Sequence, residues 1–60
     1  MSAPASNLEV AIYYVRKHGE IIVQDLRTAQ HIEAHAFDTH GYSFGIHRCT
    51  AGYVVIDLDA

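Results

Sequence analysis

The clearest hydrophobic pattern lies in the last third of the chain. Two β-rich runs, residues 42–49 and 53–59, are separated by a three-residue loop that ends in Gly52. This spacing predicts a β-hairpin. In the second run Val54, Ile56 and Leu58 alternate with Tyr53, Val55, Asp57 and Asp59. We therefore expect one face of the hairpin to meet a helix and the other to be partly exposed to water.

The middle of the chain predicts a short strand followed by a helix. Residues 20–24 form a β-prone run, and Asp25 is a good N-cap for a helix over residues 26–40. Gly41 is a typical stop signal for that helix. The predicted apolar side of the helix consists of Leu26, Ala29, Ile32, Ala36 and Phe37.

Residues 8–18 are compatible with either a helix or a strand. Ser6 followed by Glu9 is a capping-box pattern, cations fill the end of the segment, and Gly19 follows. The apolar residues also recur at helical spacing. However, the segment is rich in β-branched and aromatic residues, which favour a strand. The pattern leaves both alternatives open.

Together these elements predict one small α+β domain over residues 7–60, after a flexible lead-in over residues 1–6. One or two helices pack on an antiparallel sheet of three to four strands, and the domain ends in a β-hairpin. Half of the 60 residues are hydrophobic and 18% are charged, a composition typical of a folded chain.

Charge and cysteine content narrow the function. The formal net charge is −3, which argues against a dedicated binder of phosphate backbones. The single cysteine, Cys49, cannot form an internal disulfide. No apolar run approaches the length of a membrane span, and the first residues do not resemble a signal peptide. We expect a cytoplasmic protein that does not enter the membrane and is a monomer or a homodimer.

Three side chains on the predicted second helix could bind a metal. His31 and His35 are four residues apart, and Asp38 follows three residues later. This spacing places two imidazoles and a carboxylate on one side of a helix, a donor set that suits zinc. The alternative is that the three residues form a solvated face and that the chain carries no cofactor.

Tyrosines and carboxylates are the candidate residues for partner binding. Tyrosine is enriched in binding hot spots, and adjacent Tyr13 and Tyr14 cannot both point into one core. Exposed carboxylates would steer a basic partner. The predicted contact set is Tyr13, Tyr14, Glu20, Asp38, Tyr53, Asp57 and Asp59.

Residues 14–26 resemble the opening of a winged-helix domain. There a helix ends in a basic-glycine turn, Arg16-Lys17-His18-Gly19, and a short strand leads into a second helix. The resemblance implies a small nucleic-acid-binding regulator with the final hairpin as its wing. However, residues 30–41 contain no Arg or Lys, on which base and phosphate contacts depend heavily.

In size and general character the chain is similar to small inhibitors encoded by phages and mobile elements, of the anti-CRISPR type. The similarity involves no shared motif. It implies a stoichiometric, non-enzymatic inhibitor that blocks a host nuclease or nucleic-acid-binding complex through its acidic and tyrosine-bearing surface. We therefore expect a protein partner, with a multisubunit nuclease complex as one candidate. We expect no catalytic residues.

Overall fold

Two helices and three strands make up the fold of residues 4–59. The computed structural model describes residues 4–59, with side chains from Asn7 onward. Along the chain the elements are α1 (Pro4–His18), β1 (Glu20–Val23), α2 (Leu26–His40), β2 (Phe44–Cys49) and β3 (Gly52–Asp57). The predicted α+β class and the closing hairpin are confirmed.

The open question over residues 8–18 is resolved in favour of a helix. Helix α1 buries Ile12 and Val15 against the rest of the domain, so helical periodicity outweighs β propensity here. The capping-box prediction was wrong because α1 begins at Pro4, which leaves Ser6 in the first turn. Of the predicted lead-in, residues 1–3 lie outside the described residues and the following three belong to α1.

Helix α2 begins and ends where the sequence predicted. The Asp25 carboxylate accepts a hydrogen bond from the Thr28 backbone N–H at 2.8 Å. Gly41 is left-handed with a φ of 73°, and its N–H donates to Phe37 O. The placement of Phe37 on the apolar side was wrong: its side chain is 63% exposed, because it lies about a quarter turn from the buried stripe. Leu26 is exposed for the same reason.

The sheet is antiparallel, with strand order β1-β3-β2. In register, Val55 of β3 lies between Ile21 of β1 and Ile46 of β2. The central strand is therefore the last one in sequence, and the chain must complete β3 before β1 gains a neighbour. The sheet has three strands, the lower of the two numbers that the sequence allowed.

Both helices cover the same face of the sheet. On β3 this inner face carries Tyr53, Val55 and Asp57, and the outer face carries Val54 and Ile56. Among the described residues the core consists of Ile12, Val15, Ala29, Ile32, Ala36, Phe44 and Val55. The shortest dimension of the domain, 17 Å, corresponds to one helix layer on one sheet layer.

Candidate functional site

The exposed side of α1 carries large apolar and aromatic side chains. Val10, Tyr13 and Tyr14 are all exposed, with 65% of Tyr13 accessible. The Lys17 ammonium lies 5.8 Å from the centre of the Tyr13 ring. The helical spacing that buries Ile12 and Val15 directs the tyrosines outward, as the sequence predicted for at least one of them.

Tyr14 continues this surface into an open groove beside strand β1. Its ring lies 4.3 Å from the His18 ring, centre to centre, at an angle of 43°. We call this feature the α1–β1 groove, and its lining residues are Tyr14, His18, Glu20, Ile21 and Ile22. It combines the Tyr14 and His18 rings with the edge of strand β1 in a concave surface.

The groove runs along a strand edge with unpaired backbone groups. Strand β1 pairs with β3 alone among the described strands. The Asp57 N–H donates to Gly19 O at 3.0 Å, and bonded pairs alternate along an antiparallel ladder. Ile21 and Val23 therefore direct their backbone groups toward β3. The backbone groups of Glu20 and Ile22 point to the free edge.

A groove of this kind can bind an extended peptide segment as an added strand. Backbone hydrogen bonds supply part of the affinity in such complexes, and pockets for alternate side chains supply the specificity. Here Glu20 and Ile22 offer the backbone donors and acceptors. The Tyr14 ring offers a stacking surface, and the Glu20 carboxylate favours a cation on the bound segment.

The other predicted contact residues do not join this groove. Asp38 lines a second groove with Phe37 and Tyr42, and Tyr53 packs against the core. The Asp57 carboxylate is 2% exposed and forms an ion pair with Arg16. Asp59 accepts a hydrogen bond from the Ser43 N–H at 3.0 Å. The Asp57 carboxylate is therefore paired inside the domain, whereas Asp59 remains exposed, and its role in partner binding stays a prediction.

The predicted metal ligands do not form a ligand set. Among the side chains that the structure describes, no three His, Cys, Asp or Glu residues are placed to hold a metal ion. His35 turns toward α1, where its Nε2 lies 2.8 Å from Glu9 Oε2. Asp38 lies in the second groove, and His31 is exposed. The helical spacing of His31, His35 and Asp38 does not place them around a common point.

Glu9 has a structural role that differs from the capping-box role predicted from its spacing to Ser6. Its carboxylate contacts two imidazoles of α2, at 2.8 Å to His35 Nε2 and 2.8 Å to His40 Nε2. An ionised carboxylate can only accept hydrogen bonds, so both rings donate their Nε2–H. The contacts join residues 26 and 31 positions apart, and no local motif signals them.

We expect the Glu9 contacts to make the stability of the fold depend on pH in the acid range. Hydrogen bonds from His40 and then His35 hold the pKa of the Glu9 carboxyl below its ordinary value of 4.5. A group with a depressed folded pKa stabilises the fold above its unfolded pKa, and this stabilisation disappears as pH falls through the folded value. Glu9→Gln should therefore lower the melting temperature at pH 6, and the difference from the wild type should be smaller at pH 3.

Circular dichroism melts at both pH values test this expectation. Glu20→Gln serves as the matched control, because Glu20 is an exposed carboxylate on β1 and the two imidazoles contact Glu9 instead. The control should melt like the wild type at pH 6. An equal loss in both variants at pH 6, or a Glu9→Gln loss that is as large at pH 3 as at pH 6, would contradict the assignment.

Two further observations concern membrane spans and similarity to known proteins. In the part of the chain that the structure describes, no helix is long and apolar enough to cross a membrane. Comparison with protein-family models, with curated proteins and with solved structures finds no match for this chain.

Proposed function

We propose that this chain is a non-enzymatic protein-binding module that takes an extended segment of a partner protein along strand β1. The observation that carries the proposal is the α1–β1 groove, where Tyr14 and Glu20 from the predicted contact set meet a free strand edge. Val10, one helical turn before Tyr14, extends the same surface along α1. Tyr13 lines a separate groove with Arg16 and His40. This arrangement combines aromatic anchors with unpaired backbone groups.

The charge balance favours a basic partner segment. The chain has a net charge of −3, and Glu20 is the carboxylate that lines the groove. A partner segment that binds nucleic acid would be occupied when it lies in this groove. The proposed consequence is stoichiometric inhibition of a nuclease or another nucleic-acid-binding complex, in the manner of the anti-CRISPR type of inhibitor. The proposed setting is the cytoplasm, where Cys49 remains a free thiol.

Tyr14→Ala tests the groove directly, with Phe37→Ala as the matched control. Both residues are exposed aromatics on helices, and Phe37 lies outside the α1–β1 groove. Tagged wild type and both variants are used to capture partners from a lysate of the natural host treated with nuclease. We expect one defined complex with the wild type and with Phe37→Ala. Tyr14→Ala should retain at least about tenfold less of this complex than the wild type, a loss that is common when a hot-spot tyrosine is truncated.

The captured complex then allows the inhibitor proposal to be tested. One molar equivalent of the wild-type chain should reduce binding of the complex to its nucleic acid, and Tyr14→Ala should not. Equal retention by Tyr14→Ala would contradict the groove assignment. Loss of every partner on nuclease treatment would contradict protein binding and favour the winged-helix alternative. If the chain binds the complex but does not reduce its binding to nucleic acid, only the inhibitor proposal is contradicted, and the protein-binding proposal stands.

A further inference from the structure

The free edge of strand β1 has a fixed direction and two distinct faces. Ile21 lies opposite the buried Val55 on β3, so its side chain points to the face that the helices cover. Side chains alternate along a strand, so Glu20 and Ile22 point to the opposite face. A partner segment that extends the sheet at this edge must present its own side chains in the same alternation.

Backbone hydrogen bonds fix the position of such a segment. The N–H and C=O groups of Glu20 and Ile22 point away from β3. In an antiparallel ladder, two residues directly opposite each other exchange both hydrogen bonds, so a stretch of three partner residues satisfies all of these groups. We expect the antiparallel direction, because both strand pairs of this sheet are antiparallel and such pairing is slightly more stable per residue.

We infer that the α1–β1 groove selects a segment with the order aliphatic, aromatic, basic, an inference that rests on the proposed function. Read from its N-terminus, the segment places an aliphatic residue opposite Ile22, an aromatic residue opposite Ile21 and an arginine or lysine opposite Glu20. The antiparallel direction sets this order, because the residue opposite Ile22 then comes first. The strand edge supplies affinity, and the side chains around it supply specificity.

The first and third positions follow from the side chains of β1. Ile22 is 53% exposed, and an aliphatic side chain directly opposite would remove part of that apolar area from water. Ile22 also lies opposite Val54 of β3, so the added residue would extend an aliphatic row across the sheet. Glu20 is an exposed carboxylate, and an opposite charge across the strand pair stabilises the pairing. A like charge destabilises it, so the third position distinguishes arginine from glutamate.

The middle position faces helix α1. Its side chain points to the same side as Ile21, where the Tyr14 and His18 rings line the groove. Tyr14 is 47% exposed, so its ring has area free for contact. Aromatic pairs are stabilised beyond the area that they bury. An aromatic side chain at this position would therefore add a third ring to the Tyr14–His18 pair.

Capped peptides in three versions test the inference. The first carries valine, tyrosine and arginine, in that order, between two serines; the second reverses the order, and the third replaces arginine with glutamate. Strand β1 is short, so we expect the first peptide to bind with a Kd of about 0.1–1 mM, measured by amide chemical shifts. It should bind at least about threefold more tightly than the other two, and the amide signals of Glu20 and Ile22 should move most.

Glu20→Lys tests the charge preference, with Asp38→Lys as the matched control. Both variants replace one exposed carboxylate with a cation, and Asp38 lies outside the α1–β1 groove. Glu20→Lys should reverse the preference, so that the glutamate peptide binds more tightly than the arginine peptide. Asp38→Lys changes the net charge equally and should keep the wild-type preference.

The outcomes separate this inference from the proposed function. Equal binding of all three peptides at the β1 edge, or tightest binding of the reversed peptide, would overturn the inference alone. A preference that Asp38→Lys alters as much as Glu20→Lys would overturn it as well. Shifts centred outside β1, or no binding up to about 5 mM, would overturn both the inference and strand addition at this edge. The lysate capture with Tyr14→Ala uses none of these peptides and tests the proposed function independently.

Discussion

Gly52→Ala is expected to leave the domain largely unfolded at 25 °C. Gly52 begins β3 with a φ of 140°, a backbone region that is essentially restricted to glycine. An added Cβ would overlap the carbonyl oxygen of Val23 and come 3.0 Å from Gln24 Cα. Both neighbours are backbone atoms at the end of β1, so the overlap can be relieved only by displacing the strand.

The size of the effect follows from two separate costs. Backbone strain of about 1–3 kcal/mol adds to a similar cost for the steric overlap, which gives about 2–6 kcal/mol in total. A domain below about 70 residues rarely has more than about 3–5 kcal/mol of stability from one core. The substitution therefore removes most of the free energy of unfolding.

Gly19→Ala separates the two costs. Gly19 also has a positive φ, 92°, but an added Cβ there meets nothing within 4 Å. The Gly19→Ala variant should lose only about 1–2 kcal/mol of the free energy of unfolding, which is the cost of a left-handed conformation for alanine. Urea unfolding followed by circular dichroism measures both variants. Equal losses at Gly19 and Gly52 would show that the contact between Gly52 and the end of β1 is unimportant.

Local signals in the sequence predicted the elements well, for identifiable reasons. The cap of α2 at Asp25 and its stop at Gly41 depend on neighbouring residues, and a sequence displays such neighbours directly. The hairpin loop before Gly52 was predicted for the same reason. The choice between helix and strand for α1 depended on the burial of Ile12 and Val15 against the rest of the domain. Local propensities carry no information about such tertiary burial.

The candidate site was predicted only in part, because its formation depends on distant residues. Exposure of Tyr13 and Tyr14 follows from their adjacency in the chain. Alternation on β3 correctly placed Asp57 with Val55, but it did not reveal that helices cover that side. The Glu9 contacts with His35 and His40 likewise depend on how α1 crosses α2, which the sequence pattern does not specify.

Arg16→Ala is expected to destabilise the domain by about 2–3 kcal/mol. The Arg16 guanidinium lies 3.0 Å from the Asp57 carboxylate, and that carboxylate is almost fully buried. Removing one partner of a buried ion pair costs about 3–5 kcal/mol, and the partial exposure of Arg16 reduces this value. The guanidinium also lies 4.3 Å from the centre of the Tyr42 ring, a cation–π contact that is lost with it.

Lys17→Ala is the matched control, since Lys17 is the next cation on α1 and its contact is an exposed one with Tyr13. It should change the free energy of unfolding by less than about 0.5 kcal/mol. A double-mutant cycle isolates the pair: Asp57→Asn should recover part of the stability that Arg16→Ala loses, because it removes the unpaired buried charge. Additive losses would show that Asp57 does not depend on Arg16 for its charge compensation.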